Sequence, residues 1–308
     1  VSLRAGGGVR VVVPASTANL GSGFDALGMA LALYDTVHVA VTDGPAGSAQ
    51  VVAEGEGAGS VPTDHEHLIV RILHRTWAEL GVPAPAVRLR CHNTIPHSRG
   101  LGSSAAAIVA GIAAAHELAG FPLRENKNLE QALHLAAECE GHGDNVAASL
   151  LGGVVIAWRD TDRFRAASLP AHPGLHPIAL VTASESTTHT TRGLLPEQVP
   201  HADAAFAAGR AALAVHALTS DPSLLLAATA DRLHQDYRES AWPGTVELVR
   251  RLRAAGVPAA VSGAGPTVLA LPAGGELPDT VDITGFTALR LPVDRHGVQV
   301  ISEPTSPE

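Results

Sequence analysis

The stretch Pro96-His-Ser-Arg-Gly-Leu-Gly-Ser-Ser-Ala-Ala-Ala107 constrains this chain more than any other. It follows a segment in which Val87, Leu89 and Cys91 alternate with Arg88, Arg90 and His92, the period of a strand with one wet face. It leads into Gly102 to Ala119, a run of small residues that reads as a helix. Strand, glycine-bearing turn and helix in succession bring free backbone N–H groups and the positive end of a helix dipole to one point. Gly100 and Gly102 lack a Cβ, so the backbone can turn tightly there and approach a ligand closely. Ser103 and Ser104 add hydroxyls at the same end. That combination suits an anion such as a phosphate. The same residues would also cap a small-residue helix packed closely on a sheet.

Charge narrows the choice of anion. The 308 residues carry a formal net charge of -9, which disfavours binding to nucleic acid or to an acidic membrane surface. Lys127 is the only lysine. A Walker A loop needs a lysine inside it, and Gly-Leu-Gly-Ser-Ser has none. Gly100, Gly102 and Ala105 match a loose dinucleotide fingerprint, but no acidic residue ends a strand about 20 residues later. Two cysteines, Cys91 and Cys139, allow neither a disulfide framework nor a zinc cluster and fit a reducing compartment. No apolar run approaches the roughly 20 residues of a membrane span. The expected setting is cytoplasmic, with no membrane partner.

Strands are expected at Val9–Val13, at 34–42, at 87–91 and at Val154–Trp158. Thr63-Asp-His-Glu66 has the form of a capping box opening a helix that Gly81 stops, and Asn128 is placed to cap a helix reaching Gly141. The polar segment 159–177 has no clear period and divides the chain into domains at 1–158 and 159–308. Beyond it come a strand at 178–182, helices near 202–219, 222–234 and 244–255, short strands, and an unstructured tail after Ser302. Strands and helices in uneven order indicate an α+β fold.

Two further loops are rich in small and hydrogen-bonding residues: Pro14-Ala-Ser-Thr-Ala-Asn-Leu-Gly-Ser-Gly-Phe-Asp25 and Ala260-Val-Ser-Gly-Ala-Gly-Pro-Thr-Val-Leu269. Each alone reads as an ordinary turn. In order and spacing, however, the three loops together resemble the three signature motifs of the GHMP small-molecule kinases. Ala-Asn-Leu-Gly-x-Gly-Phe-Asp25, Glu140-Gly-His-Gly-Asp-Asn-Val-Ala147, the run from Thr187-Thr188 through Arg192 to Leu195-Pro196, and Asp231-Arg-Leu-His-Gln-Asp-Tyr-Arg238 are similar to its homoserine kinase branch. Ser22 and Gly143 stand where that branch usually has proline, which loosens both loops.

The resemblance implies a two-domain architecture, with an N-terminal domain like ribosomal protein S5 domain 2 and a ferredoxin-like C-terminal domain. It implies ATP and Mg²⁺ as cofactors, L-homoserine as the partner substrate, and a homodimer as an admissible state. Pro96, Arg99, Gly100, Leu101, Gly102, Ser103, Ser104 and Ala105 would hold the ATP phosphates, with His67 and Leu68 as candidates for the base. Ser104 and Glu138 would hold the metal, with Glu140 as the competitor, since helix neighbours two apart face different ways. Asp25 would take the substrate ammonium, Arg192 and Arg238 the carboxylate. Asn19 and Asn145 would orient the hydroxyl, with His142 and Thr188 as further contacts. Asn145, Asp144 and Arg192 are the catalytic candidates, in a reaction expected to need no strong base. His134, Glu138 and His142, and separately His65 to His67, mimic metal-ligand spacings without completing a known zinc motif.

Overall fold

The computed structural model describes residues 7–184 and 191–303. Val9, Val11 and Val13 alternate into the core as expected, but the strand does not stop at Pro14. β1 (Gly8–Ala18) continues through a register shift between Pro14 and Ala15, where a residue without an N–H costs the ladder nothing. That irregularity carries Ser16 and Thr17, both fully buried, to the centre of the molecule.

β1 pairs along β2 (Leu27–Thr42), a strand long enough to hold a different partner at each end. Its C-terminal half pairs with β4 (Ala86–Asn93), and Leu27 to Met29 pair with β5 (Val154–Arg159). β3 (Ala49–Gly55) lies parallel to β4, β6 (Phe164–Leu169) pairs with β5, and β11 (Gln299–Glu303) closes the far edge on β1. β6 and β11 both lie beyond residue 158, so this seven-stranded sheet draws strands from either side of the expected division. The second sheet has four strands in the order β10-β7-β9-β8: β7 is Ile178–Val181, β8 Ala259–Val261, β9 Val268–Ala270 and β10 Thr287–Arg290. Two sheets with mixed helices are the α+β organisation expected.

One face of the large sheet is covered by α1 (Leu68–Glu79), α2 (Ser103–Leu118), α3 (Asn126–Glu140) and α4 (Asp144–Leu151). α2 is apolar almost all round, as an element enclosed by its neighbours must be. A Cβ on Gly111 would press on Ile72, so glycine here lets α1 approach α2 closely. In the C-terminal half, α5 (His201–Thr219) and α6 (Leu225–Ala228) pack on the main core, whereas α7 (Pro243–Ala254) packs on the small sheet.

Several boundaries differ from expectation, each for a local reason. α1 starts at Leu68, because the ring of His67 accepts the Ile69 N–H at 3.3 Å and acts as the cap, four residues beyond Thr63. α3 starts at Asn126, and Asn128 instead donates to Pro122 O at 3.0 Å. The helix expected over 222–234 ends at Ala228. Beyond it the Asp231 carboxylate accepts the N–H groups of Leu233, His234 and Gln235 at 2.8–3.0 Å, which holds that backbone in a turn. β3, β6 and α4 were not anticipated. The tail after residue 303 lies outside the described residues. No helix among the described residues is long and apolar enough to cross a membrane.

Candidate functional site

The three glycine-bearing loops converge at the junction of the two sheets. Ser262 Oγ, fully buried, donates to Gly100 O at 2.5 Å and lies 2.8 Å from Thr17 Oγ1, so one hydroxyl touches all three. The backbone reinforces it: Ser16 N–H donates to Leu101 O at 3.0 Å and Gly263 N–H to Ala18 O at 3.1 Å. Gly100 and Gly102 both have positive φ. A Cβ on Gly100 would overlap Ser262 O, and one on Gly102 would overlap Ser16 Oγ. Glycine is therefore required at both by contact as well as by conformation.

Together these loops form a polar cradle of about 60 Å³ at the N-terminus of α2. Gly100, Gly102, Ser103 and Ser104 line it, as expected, and so do Ser98, Glu140, Asn145 and Gly263 to Gly265. Four expected phosphate-loop residues do not line it. Leu101 and Ala105 are buried in the core, and Pro96 sits at the start of the loop. Arg99 spends its guanidinium on the carbonyls of His97, Thr182 and Ala183, bracing the loop against the end of β7. Beside the cradle, and sharing Ser98, Ser103 and Ser104 with it, is a mainly apolar pocket of about 210 Å³. His67 and Leu68 line this pocket with Val37, Val61 and Ile69. At its polar end Asp35 accepts the N–H groups of Thr94 and Ile95 at 2.7 and 3.0 Å, and burial pushes its carboxyl above the usual range.

The two acidic candidates on α3 separate cleanly. Residues two apart on a helix diverge by about 200°. Glu138 is exposed and pairs with Arg75 of α1 at 3.1 Å, away from the cradle. Glu140, at the end of α3, accepts from Ser104 Oγ at 2.6 Å. Of the two, Glu140 and not Glu138 lines the cradle. Burial raises the pKa of Glu140, although Ser104 and His142 act to lower it. No group of three or more His, Cys, Asp or Glu side chains suited to a metal occurs among the described residues.

A cluster of charged and polar side chains joins the cradle through Gly263. Asn19 and Asp25 both hold a positive φ. The Asn19 carboxamide accepts from Asp25 N–H at 3.0 Å and donates to Gly263 O at 2.9 Å, so it braces the first loop against the third. Arg192 meets Asp25 in a two-pronged pair, both contacts at 2.8 Å. Arg238 is buried and donates to His234 Nδ1 at 2.9 Å and to Gly263 O at 3.2 Å. An arginine can only donate, so His234 accepts at Nδ1 and donates from Nε2 to Gly21 O at 2.8 Å. Burial, the largest influence, lowers the pKa of His234 and keeps that neutral tautomer; it also lowers Arg238 to about 10, still cationic at neutral pH. The Phe24 ring lies against both arginines, its centroid 5.7 Å from Arg192 and 5.9 Å from Arg238. Ser22, where looseness was expected, donates to Ala228 O at 2.9 Å and is pinned. Thr188, like Thr187, lies outside the described residues.

Cradle and cluster meet at the start of α4. Asp144 Oδ1 contacts His142 Nδ1 at 2.7 Å and accepts from Asn145 N–H at 2.8 Å. Burial works against a charge on His142, yet Asp144, Glu140 and Asp25 together outweigh it and raise its pKa. Sequence reasoning missed Ser16, Ser149, Ser262 and His234. Ser16, Ser262 and His234 lie within segments already singled out, but nothing in the spacing of Ser16 and Ser149 betrays a contact across more than a hundred residues.

The profile of the GHMP kinases N terminal domain matches residues 67–153. Homoserine kinase of Rhodococcus erythropolis is 48% identical, with 97% of this chain and 98% of that protein covered. Homoserine kinase of Streptomyces coelicolor is also 48% identical, over 95% and 94%. Among solved structures, homoserine kinase from Cytophaga hutchinsonii superposes with a TM-score of 0.80 at 26% identity, covering 96% of this chain and 97% of that one. Mevalonate diphosphate decarboxylase from Enterococcus faecalis shares the fold at a TM-score of 0.63 and 13% identity, over 96% and 99%.

The His142–Asp144 pair sets a sign for stability against pH. A raised folded-state pKa stabilises fully below the unfolded value of 6.5 and loses that contribution as pH rises through the folded value. The Tm difference between wild type and His142→Asn is therefore expected to be largest below about pH 6.5 and to shrink on the alkaline side. Thermal melts across that range measure it.

Proposed function

The chain belongs to the homoserine kinase family of the GHMP kinases, and from that premise we infer that it transfers the γ-phosphoryl group of ATP to the side-chain hydroxyl of L-homoserine, the threonine-forming route's phosphorylation step. One observation carries the reading at the level of the site. A polar cradle at the N-terminus of α2, lined by glycines and the hydroxyls of Ser103 and Ser104, adjoins an apolar pocket and, through Gly263, a cluster holding one carboxylate and two guanidinium groups.

In this reading the apolar pocket takes the adenine base, and the N-terminus of α2 with Ser103 and Ser104 takes the phosphates. An amino acid presents an ammonium and a carboxylate, the complements of Asp25 and of Arg192 with Arg238. Its binding replaces the Asp25–Arg192 pair with two pairs of the same sign order. Its side chain then points to Asn145, at the boundary with the cradle. The transferred group forms a bond to the hydroxyl oxygen as its bond to the ADP oxygen breaks, and the hydroxyl proton leaves to solvent.

Phosphoryl transfer through a loose transition state asks mainly for position and charge. Asp144 Oδ1 contacts His142 and accepts the Asn145 N–H. Its role here is to fix those two groups. The oxygens of Glu140 and Ser104 are a fitting set for Mg²⁺, which favours one or two protein ligands alongside substrate phosphates. When bound, that ion neutralises charge on the phosphates. Both sides of the site draw on both parts of the chain: Gly263 to Gly265 line the cradle, and Asp25 faces Arg192.

ADP release from the purified protein, coupled to a reporter, is expected with L-homoserine and not with simple alcohols or sugars. Turnover confined to a non-amino-acid alcohol would move the substrate assignment elsewhere among GHMP kinases, and no release with any acceptor would remove the kinase reading. Separately, Glu140→Gln is expected to lower kcat about a hundredfold or more, the scale of losing a charged group at a transferring phosphoryl. Glu138→Gln should leave kcat within about twofold. Steady-state kinetics at saturating Mg²⁺ decide between them, and the reverse order would restore Glu138.

A further inference from the structure

Asn145 is held by a buried chain of two hydroxyls that come from distant parts of the sequence. Ser149 Oγ donates to Ser16 Oγ at 3.3 Å, and Ser16 Oγ donates to Asn145 Oδ1 at 3.0 Å. Both serines are fully buried and Asn145 is nearly so. Neither serine can therefore exchange its partner for water without opening the core. Ser16 comes from the stretch of β1 beyond the irregularity at Pro14, and Ser149 lies one turn after Asn145 on α4.

A hydroxyl has one proton and a carboxamide has two unlike ends. With the Ser149 proton committed to Ser16, the Ser16 proton is committed to Asn145 Oδ1. The amide oxygen is thereby occupied, and the Nδ2 end, with two N–H donors, is left for the cradle. The neighbouring atoms agree: Nδ2 lies toward the third loop, 3.9 Å from where a Cβ of Gly263 would stand, while Oδ1 lies on the Gly102 side. Were the amide reversed, an acceptor oxygen would face a phosphoryl group carrying negative charge, which repels where the N–H attracts. Gly102 belongs to the same device, since any side chain there would displace the Ser16 hydroxyl.

We propose that Ser16 and Ser149 are positioning residues for phosphoryl transfer, acting as a directional hydroxyl relay that fixes the Asn145 carboxamide with its N–H donors toward the transferring group. The proposal rests on the kinase reading above. It assigns to the relay an effect on the chemical step and none on holding either substrate, because neither serine lines the cradle or belongs to the charged cluster.

The test is steady-state kinetics of Ser16→Ala, Ser149→Ala and the double variant, with ATP and L-homoserine varied in turn and folding checked by thermal melts. Ser16→Ala is expected to lower kcat about tenfold or more, with KM for both substrates within about twofold. Ser149→Ala should lower kcat about two- to tenfold, the range of one hydrogen bond. In the Ser16→Ala background Ser149→Ala should cost nothing further, because its effect passes through Ser16. Equal losses in kcat with and without Ser16, losses that fall on KM instead, or an unchanged kcat in both single variants would overturn the relay. Should Ser16→Ala fail to fold, Ser149→Ala decides alone: a loss confined to kcat supports the relay, and an unchanged kcat ends it. Wild type that does not turn over L-homoserine would instead defeat the underlying kinase reading, so the two failures are told apart.

Discussion

The site exists because three loops from distant parts of the chain are tied at one buried hydroxyl. Ser262 reaches both Thr17 and Gly100, and every feature of the cradle follows from that closeness. The glycines at 100 and 102 are the condition for it, since side chains at either would push the first and third loops away. A buried polar knot of this kind is costly if any member is left unpaired, and here the members satisfy one another. The knot thus holds the cradle, the amide of Asn145 and the brace at Asn19 in one rigid frame, on the junction between the two sheets.

An acidic chain with a single lysine nevertheless presents a site for a highly charged anion. It does so with backbone N–H groups, hydroxyls and the end of α2, all of which are neutral groups whose dipoles point the right way. Lys127 is exposed in the first turn of α3 and plays no part. The two arginines that matter are placed in the charged cluster, where the Phe24 ring lies against both and Asp25 answers one of them. On the proposed function the charges are sorted by position, with dipoles serving the nucleotide and formal charges a small zwitterion.

Much of this was legible in the sequence, and the reasons differ by element. The phosphate loop announced itself because a strand, two glycines and a small-residue helix leave a pattern that few other structures need. The strand at 9–13 followed from an apolar run and those at 34–42 and 87–91 from alternation, but their true ends did not, since the extension of β1 past Pro14 depends on its neighbours. The helix expected over 222–234 failed where one aspartate outcompeted helical hydrogen bonding. Choosing between Glu138 and Glu140 needed the third dimension: the sequence showed that only one could face the cradle, and the pairing of Arg75 with Glu138 shows which. Ser16 and Ser149 were invisible for a deeper reason, because their meaning lies in a contact between β1 and α4 that no local pattern encodes.

On the proposed function, this geometry delivers the phosphoryl group to an amino-acid hydroxyl. Phosphorus NMR of a turnover mixture of the purified protein with ATP, Mg²⁺ and L-homoserine tests it most directly. The account predicts one phosphomonoester on the homoserine side-chain oxygen for each ADP formed, with little inorganic phosphate. Inorganic phosphate accumulating in step with ADP, with no phosphomonoester, would contradict it.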